Sequence, residues 1–418
     1  MVKLRRTLGL FDTVSLSLGA IIGAGIFVIT GAASQIAGPS LIISITIAGT
    51  IAALTAISVS QLVKAFPKEG GEYEYGYKTL SPFLGFLSGW IWSLNKIVAD
   101  SVIALGFATY ASLFLPFPIQ TIAVAIIAIV TIINYFGIRT TGTLIDLLVI
   151  IKISILLFFI LLGIFYIKPS NFIPFSPHGM TGILQASAIM FFAYVGFVRP
   201  IYVVEEIRKP KENVPKGIFL GLIIAAIIYF IVTFVAVGLV GSNALGSTDS
   251  PLASAISITN FPQAVSIITF GAIIATFSVL LGDVLGLSRM IFAMGRRGDY
   301  PKWFGHIEKF SQTPRRAVLF TGLVIGVPTL IFNLRSLIQV ASFLILVYFA
   351  FVNLSAIKLK KNLRRFSIIS AIGIVCVLSL ALSLSFSSIL IGFLLIFFGT
   401  VYFLVKKRIC SFITKRTT

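Results

Sequence analysis

Gly19-Ala20-Ile21-Ile22-Gly23-Ala24-Gly25-Ile26-Phe27 sits in the middle of the first long apolar run, residues 11–36. Three glycines in seven residues oppose a continuous helix, each costing about 1 kcal/mol relative to alanine. In lipid, a spanning segment satisfies every backbone group internally. A glycine interruption at mid-span therefore marks backbone that faces protein or a polar cavity. In transporters, such interruptions hold small ions and zwitterions. Taken alone, the stretch also admits a packing reading, because small residues let two helices approach closely.

The rest of the chain supplies the membrane setting. Its 418 residues are 58% hydrophobic and 11% charged, with a net charge of +20 and a mean hydropathy of +1.06. Soluble domains carry about 25% charged residues, so the composition is that of a polytopic helical membrane protein. The cations fall in short clusters between apolar runs, which is a topology signal rather than a nucleic-acid footprint. Cys376 and Cys410 form neither a metal spacing nor a disulfide pattern. The first run is long and glycine-interrupted, so it reads as helix 1 rather than a cleaved signal. No targeting or soluble extension is visible, which suits a cell membrane.

Twelve runs approach the ~20 residues needed to cross a bilayer. They are 11–36, 40–64, 83–114, 119–137, 143–167, 180–206, 216–240, 264–294, 317–333, 336–357, 366–383 and 385–405. Placing the N-terminus inside gathers Lys3, Arg5, Arg6, Lys64, Lys68, Lys78, Arg139, Arg208, Lys209, Lys211, Lys216, the cluster Arg296–Arg316, Lys358–Arg365 and the tail Lys406–Arg416 on one side. The opposite loops offer only Lys168 and Arg335. Both termini are then cytoplasmic. The polar stretch Phe66–Tyr75 predicts a short interfacial helix, and loop 241–263 a short helix over the outer mouth.

A second interruption is expected in the sixth run, around Gly196 within Phe191-Phe-Ala-Tyr-Val-Gly-Phe-Val-Arg-Pro200. Proline there removes a donor and clashes with the preceding turn. Runs 1 and 6 lie five apart, so they enter from opposite sides. Matching interruptions in two five-helix halves predict an inverted repeat with the site at its centre. The halves are 11–167 and 180–357, with 366–405 outside them, in a single transmembrane domain, 1–418.

These motifs together resemble the amino acid–polyamine–organocation superfamily over nearly the whole chain. Gly19–Phe27 with Gly38-Pro39 is similar to its helix 1 signature. Phe66-Pro67, Gly70-Gly71-Glu72-Tyr73, Gly85-Phe86 and Gly89-Trp90 resemble the loop after helix 2 and the start of helix 3. Phe191–Phe197 resembles the broken helix 6, and Glu205-Glu206, Pro210 and Asn213–Gly217 the loop after it. Ser288-Arg289, Ala293-Met294, Arg297-Gly298 and Pro301 resemble the end of helix 8. Each motif is weak alone; their order and spacing are specific. The resemblance implies an all-α leucine-transporter-type fold, alternating access, and amino acids or related amines as cargo. Proton symport and exchange both occur in the family.

An unwound helix 1 would present free N–H groups that attract a carboxylate. By resemblance, Gly23, Ala24 and Gly25 match that cradle, and Ile21 a carbonyl contact for the amine. Phe192 and Val195, beside Gly196, match helix 6 positions that meet the amine, with Phe192 also an aromatic gate. Five ionisable residues lie well inside the runs, away from their ends: Lys96, Asp100, Lys152, Arg199 and Asp283. Such residues are costly in a bilayer and mark functional sites. Lys152 is about 14 Å deep and Asp283 about 16 Å, at 1.5 Å per residue, so the two are expected to pair. By resemblance, Lys152 matches a lysine whose ammonium replaces sodium in sodium-independent members. It reads as a proton carrier or as a fixed tie from helix 5 to helices 1 and 8.

Lys96 and Asp100 are four apart on one helix face. By resemblance, Asn95, Lys96 and Asp100 line the substrate pocket; an internal Lys96–Asp100 pair is the plain alternative. Val198 stands where many relatives carry an acid, which leaves no relay there. Arg199 is expected to meet an anionic substrate group or Asp283, or to anchor the inner half of helix 6. The cationic balance favours neutral or acidic amino acids over polyamines. Glu69, Glu72 and Glu74 read as a solvated face, and His178 and His306 as loop residues without metal-ligand neighbours.

A channel filter and a metal triad or nucleophile–base pair are both missing, so neither a channel nor an enzyme is expected. No cofactor or metal is expected. A polyamine exchanger and a transporter-fold nutrient sensor remain as alternatives.

Overall fold

A computed structural model describes residues 6–67, 71–137, 142–308, 313–359 and 364–416, with the side chains of 71–72, 142–143 and 409–416 left aside. The expectations placed on Lys3, Arg5, Lys68, Glu69, Gly70 and Arg139, and on the side chains of Glu72 and Cys410, lie outside the described residues. So do the parts of the basic runs at 309–312 and 360–363.

The glycine stretch divides the first run. Helix α1 (Leu10–Ile21) starts where Asp12 accepts from the Gly9 N–H at 2.6 Å. It ends at Ile22, whose backbone is extended (φ −74°, ψ 93°). A π-helical turn, Gly25–Ile29, follows and leads into α2 (Thr30–Ala37). Gly38, at φ +67°, stops α2 in a conformation that favours glycine. Next come α3 (Leu41–Ala65) and the short α4 (Gly71–Thr79), which falls in the polar stretch expected to hold an interfacial helix.

The remaining runs are helical too. Ser81 caps α5 (Pro82–Ala111) by accepting from the Leu84 N–H at 3.2 Å, with proline at the first helical position. Then follow α6 (Ile119–Tyr135), α7 (Gly142–Gly163) and α8 (Gly179–Tyr194), which passes into a 3-10 helix, Val195–Val203. Helix α9 (Pro210–Gly246) kinks at Gly241, and α10 (Pro251–Ile256) is the short helix expected in loop 241–263. The chain continues with α11 (Gln263–Arg297), α12 (Arg315–Ile331), α13 (Leu334–Ile357), α14 (Arg364–Ser383) and α15 (Phe386–Arg416).

Among the described residues, nine helical stretches are long and apolar enough to cross a membrane. The first, Leu10–Ala65, joins the first two runs into one, and Ile119–Tyr135 is a shorter apolar helix outside the nine.

Helix α5 packs against α11 and α13, α1 against α9, and α3 against α8 and α9. One cluster of buried polar groups closes on itself, as a dry interior favours. The Ser58 hydroxyl of α3 donates to Asn353 Oδ1 of α13 at 2.6 Å and lies 2.8 Å from Ser370 Oγ of α14. One isolated parallel bridge, Leu8 with Ile207, ties the start of α1 to the segment after the 3-10 helix.

Candidate functional site

The two interrupted segments cross in direct backbone contact. A Cβ on Gly196 would collide with the main chain of Ala20 and Ile21, and one on Gly25 with Ala193. The packing reading of the glycines therefore holds at these positions, and it is this close approach that puts both interruptions on one cavity of about 50 Å³. At about 10–15 Å³ for each water, that is room for a few waters.

Ile21, Gly23, Ala24 and Gly25 form one wall. Asn95 and Lys96 of α5 form a second, with Ala99 and Ile103 continuing their stripe. Phe192, Val195, Gly196, Arg199 and Tyr202 form a third, and Val279 and Asp283 of α11 complete the lining. Of the residues singled out in the sequence, Asp100 and Lys152 do not line it.

The second interruption differs from expectation. The helix is not unwound at Gly196; it tightens into 3-10 geometry, with Val195 still in the right-handed helical region. Residues three apart eclipse in a 3-10 helix, so Gly196, Arg199 and Tyr202 share one face. Tyr202 escapes a reading of the sequence for this reason: an unwound break does not aim it anywhere, and only a period of three brings it to the cavity. Its ring meets Trp92 edge-on, with centroids 6.0 Å apart.

Asp283 organises the charged wall. Lys96 Nζ lies 2.7 Å from its Oδ2 and Arg199 Nη1 2.9 Å from its Oδ1. Arg199 also donates to the Gly282 carbonyl at 3.0 Å, and Gly282 has no side chain to block the guanidinium. Lys96 sits 5.8 Å from the centroid of Trp92. The plain alternative, an internal Lys96–Asp100 pair, gives way to Lys96–Asp283, because Asp283 comes from the facing helix within reach of the ammonium. Asp100 is fully buried, and no donor reaches either carboxylate oxygen.

The expected Lys152–Asp283 pair is also absent. Lys152 is buried and donates to the Gly19 carbonyl at 2.8 Å. Gly19 lies in the last turn of α1, where carbonyls lack intrahelical partners and attract cations. Equal depth does not mean contact, because Asp283 already holds two cations. The Ile21 carbonyl accepts from the Tyr229 hydroxyl at 2.7 Å, which leaves its second lone pair. Asn95 donates to the Ala341 carbonyl of α13 at 2.8 Å, so it braces α5 as well as lining the cavity.

A second polar cluster closes one end of the bundle. The Tyr73 and Tyr77 hydroxyls of α4 both donate to Asp299 Oδ2, Tyr77 at 2.6 Å. Glu74 pairs with Arg297, whose guanidinium lies 4.1 Å from the Tyr77 ring centroid. Lys406 of α15 stands 3.7 Å from Asp299 Oδ1. Glu74 is therefore a tie between elements rather than part of a solvated face. Burial first, and then the bond to Asp299, push both tyrosine hydroxyls above their ordinary 10.0.

Comparison with known proteins agrees with this architecture. The amino acid permease family model matches residues 12–413. The methylthioribose transporter of Bacillus subtilis is 34% identical over 380 residues, 86% of this chain and 82% of its own. The branched-chain amino acid permease BcaP of the same organism is 30% identical over 381 residues, with the same shares of each chain. The vacuolar cationic amino acid transporter 4 of Arabidopsis thaliana is 32% identical over 368 residues, 81% of this chain and 61% of its own. With a match over nearly its whole length and several apolar helices, this multi-pass membrane protein belongs to the amino acid permease family, within the amino acid–polyamine–organocation superfamily.

Proposed function

We propose that the chain is a secondary transporter that binds amino acids between its two interrupted segments and moves them by alternating access. It works without sodium, by proton coupling or exchange. The observation that carries this reading is the cavity where Gly23–Gly25 and Gly196 meet, with main-chain groups and the Lys96–Asp283–Arg199 cluster around it. The N–H groups that open the π-turn offer a place for a carboxylate, and the carbonyls ending α1 a place for an ammonium. The Lys152 ammonium on Gly19 supplies, without sodium, the positive charge that holds the end of α1.

In this reading the chain crosses twelve times, with 11–167 and 180–357 as inverted repeats, 366–405 outside them and both termini cytoplasmic. The cavity wall carries two cations and one carboxylate, which favours neutral or acidic amino acids over polyamines. The branched-chain relative agrees with a neutral cargo. A second reading, a thiosugar cargo, draws on the relative named a methylthioribose transporter.

A thermal-shift screen of amino acids, amines and methylthioribose selects the ligand, since binding raises apparent stability. Counterflow in proteoliposomes then separates transport from sensing. Binding by an amino acid with counterflow is expected. A shift with methylthioribose alone favours the second reading, and binding without counterflow leaves a sensor.

A further inference from the structure

Asp100 is a buried acid that the cavity does not explain. It is fully enclosed in α5, and neither oxygen has a donor. The charged groups facing it are Asp283, Lys96 and Arg199. Both cations are engaged with Asp283, at 2.7 Å and 2.9 Å. Lys96 lies one turn before Asp100 on α5 and bonds Asp283, so the group that Asp100 meets across this ammonium is a second acceptor, the Asp283 carboxyl. Two ionised carboxylates repel and cannot bond to each other. With one proton between them, the same contact becomes a donor–acceptor pair. A buried carboxylate without donors is strongly disfavoured, and close carboxylates in a dry site do not both stay ionised.

We propose that Asp100 and Asp283 form the site of a transported proton, carried on Asp100 as an O–H that donates to Asp283. The proposal rests on the transport reading above and names its coupling ion. Only an O–H bond forms and breaks: the proton arrives from water on one side of the membrane and returns to water on the other. Asp283 lines the cavity and Asp100 stands behind it, so Asp283 is the way in and out.

The arrangement links the proton to the cargo. With the proton bound, Lys96 and Arg199 face a single negative charge, and the cluster carries one net positive charge beside the cavity. Without it, the cluster is neutral. A substrate carboxylate is drawn to the protonated form, and by reciprocity its presence holds the proton in place. Proton and substrate load together and leave together.

The test compares the wild-type chain and Asp100→Asn in proteoliposomes, using labelled leucine, alanine and glutamate in turn. An inside-alkaline gradient is expected to raise wild-type accumulation severalfold. In the variant, gradient-driven accumulation is expected to fall by at least tenfold more than exchange of labelled for unlabelled substrate. A gradient response equal to wild type overturns the proposal.

Infrared spectra of the resting wild-type protein provide a reading independent of transport. A protonated-carboxyl band at neutral pH that disappears in Asp100→Asn supports the shared proton, and its absence from wild type overturns it. If none of the labelled compounds moves, the amino acid transport reading fails for these cargoes, and the infrared band still decides the proton.

Discussion

At Gly196 and Gly25, a single methyl group would sit inside the backbone of the crossing segment. Gly196→Ala is therefore predicted to cost about 1–3 kcal/mol, the range for overpacking, and to remove any substrate-induced thermal shift; a variant with wild-type melting and binding would contradict the crossing. Lys152 makes the complementary prediction. Its bond to Gly19 is charge-assisted, a class worth roughly 1.5–3 kcal/mol. Lys152→Met is predicted to reduce uptake at least tenfold while expression and folding persist. Unchanged uptake would show that the tie is dispensable. The sequence reveals Lys152 as a buried cation by its depth, but not its partner. Depth along one helix says nothing about which face of a neighbour it meets, and so it points Asp283 to the wrong lysine.

The most informative element is the 3-10 helix Val195–Val203. Glycine and proline in the sequence signal an interruption, yet both an unwound break and a tightened helix satisfy that signal. Tertiary contact with Ala20 and Ile21 accompanies the second form, and with it come Arg199 and Tyr202. Helix α4 carries a different prediction. Its tyrosines bond to Asp299 beyond the end of α11, and Lys406 joins them from α15. Since both hydroxyls are raised above 10.0 in the fold, their stabilisation is fully present below about pH 10 and is lost as pH rises through the folded values. The melting temperature of the solubilised protein is predicted to fall as pH climbs above 10, less steeply in Tyr77→Phe. An identical slope in the variant would remove Tyr77 from the account. The residues of this cluster belong to separate motifs in the sequence. Their meeting, across more than two hundred positions, is a product of the fold.

Across the whole molecule, composition and the alternation of apolar runs with basic clusters are enough to read a polytopic helical protein, and the order of motifs is enough to read the family. The glycine stretch locates one wall of the cavity from its residues alone. The charged wall is legible only as a set of buried charges; their pairing depends on helix rotation, which a single sequence does not encode. The account's central claim is that amino acids bind where the interrupted segments cross and move without sodium. Uptake of labelled leucine, alanine and glutamate into proteoliposomes in sodium-free buffer, under an imposed inside-alkaline gradient, tests it most directly. The account predicts accumulation of at least one of them, unchanged by added sodium and reduced at least tenfold in Lys152→Met. Strict dependence on sodium, or no accumulation of any of the three, would contradict it.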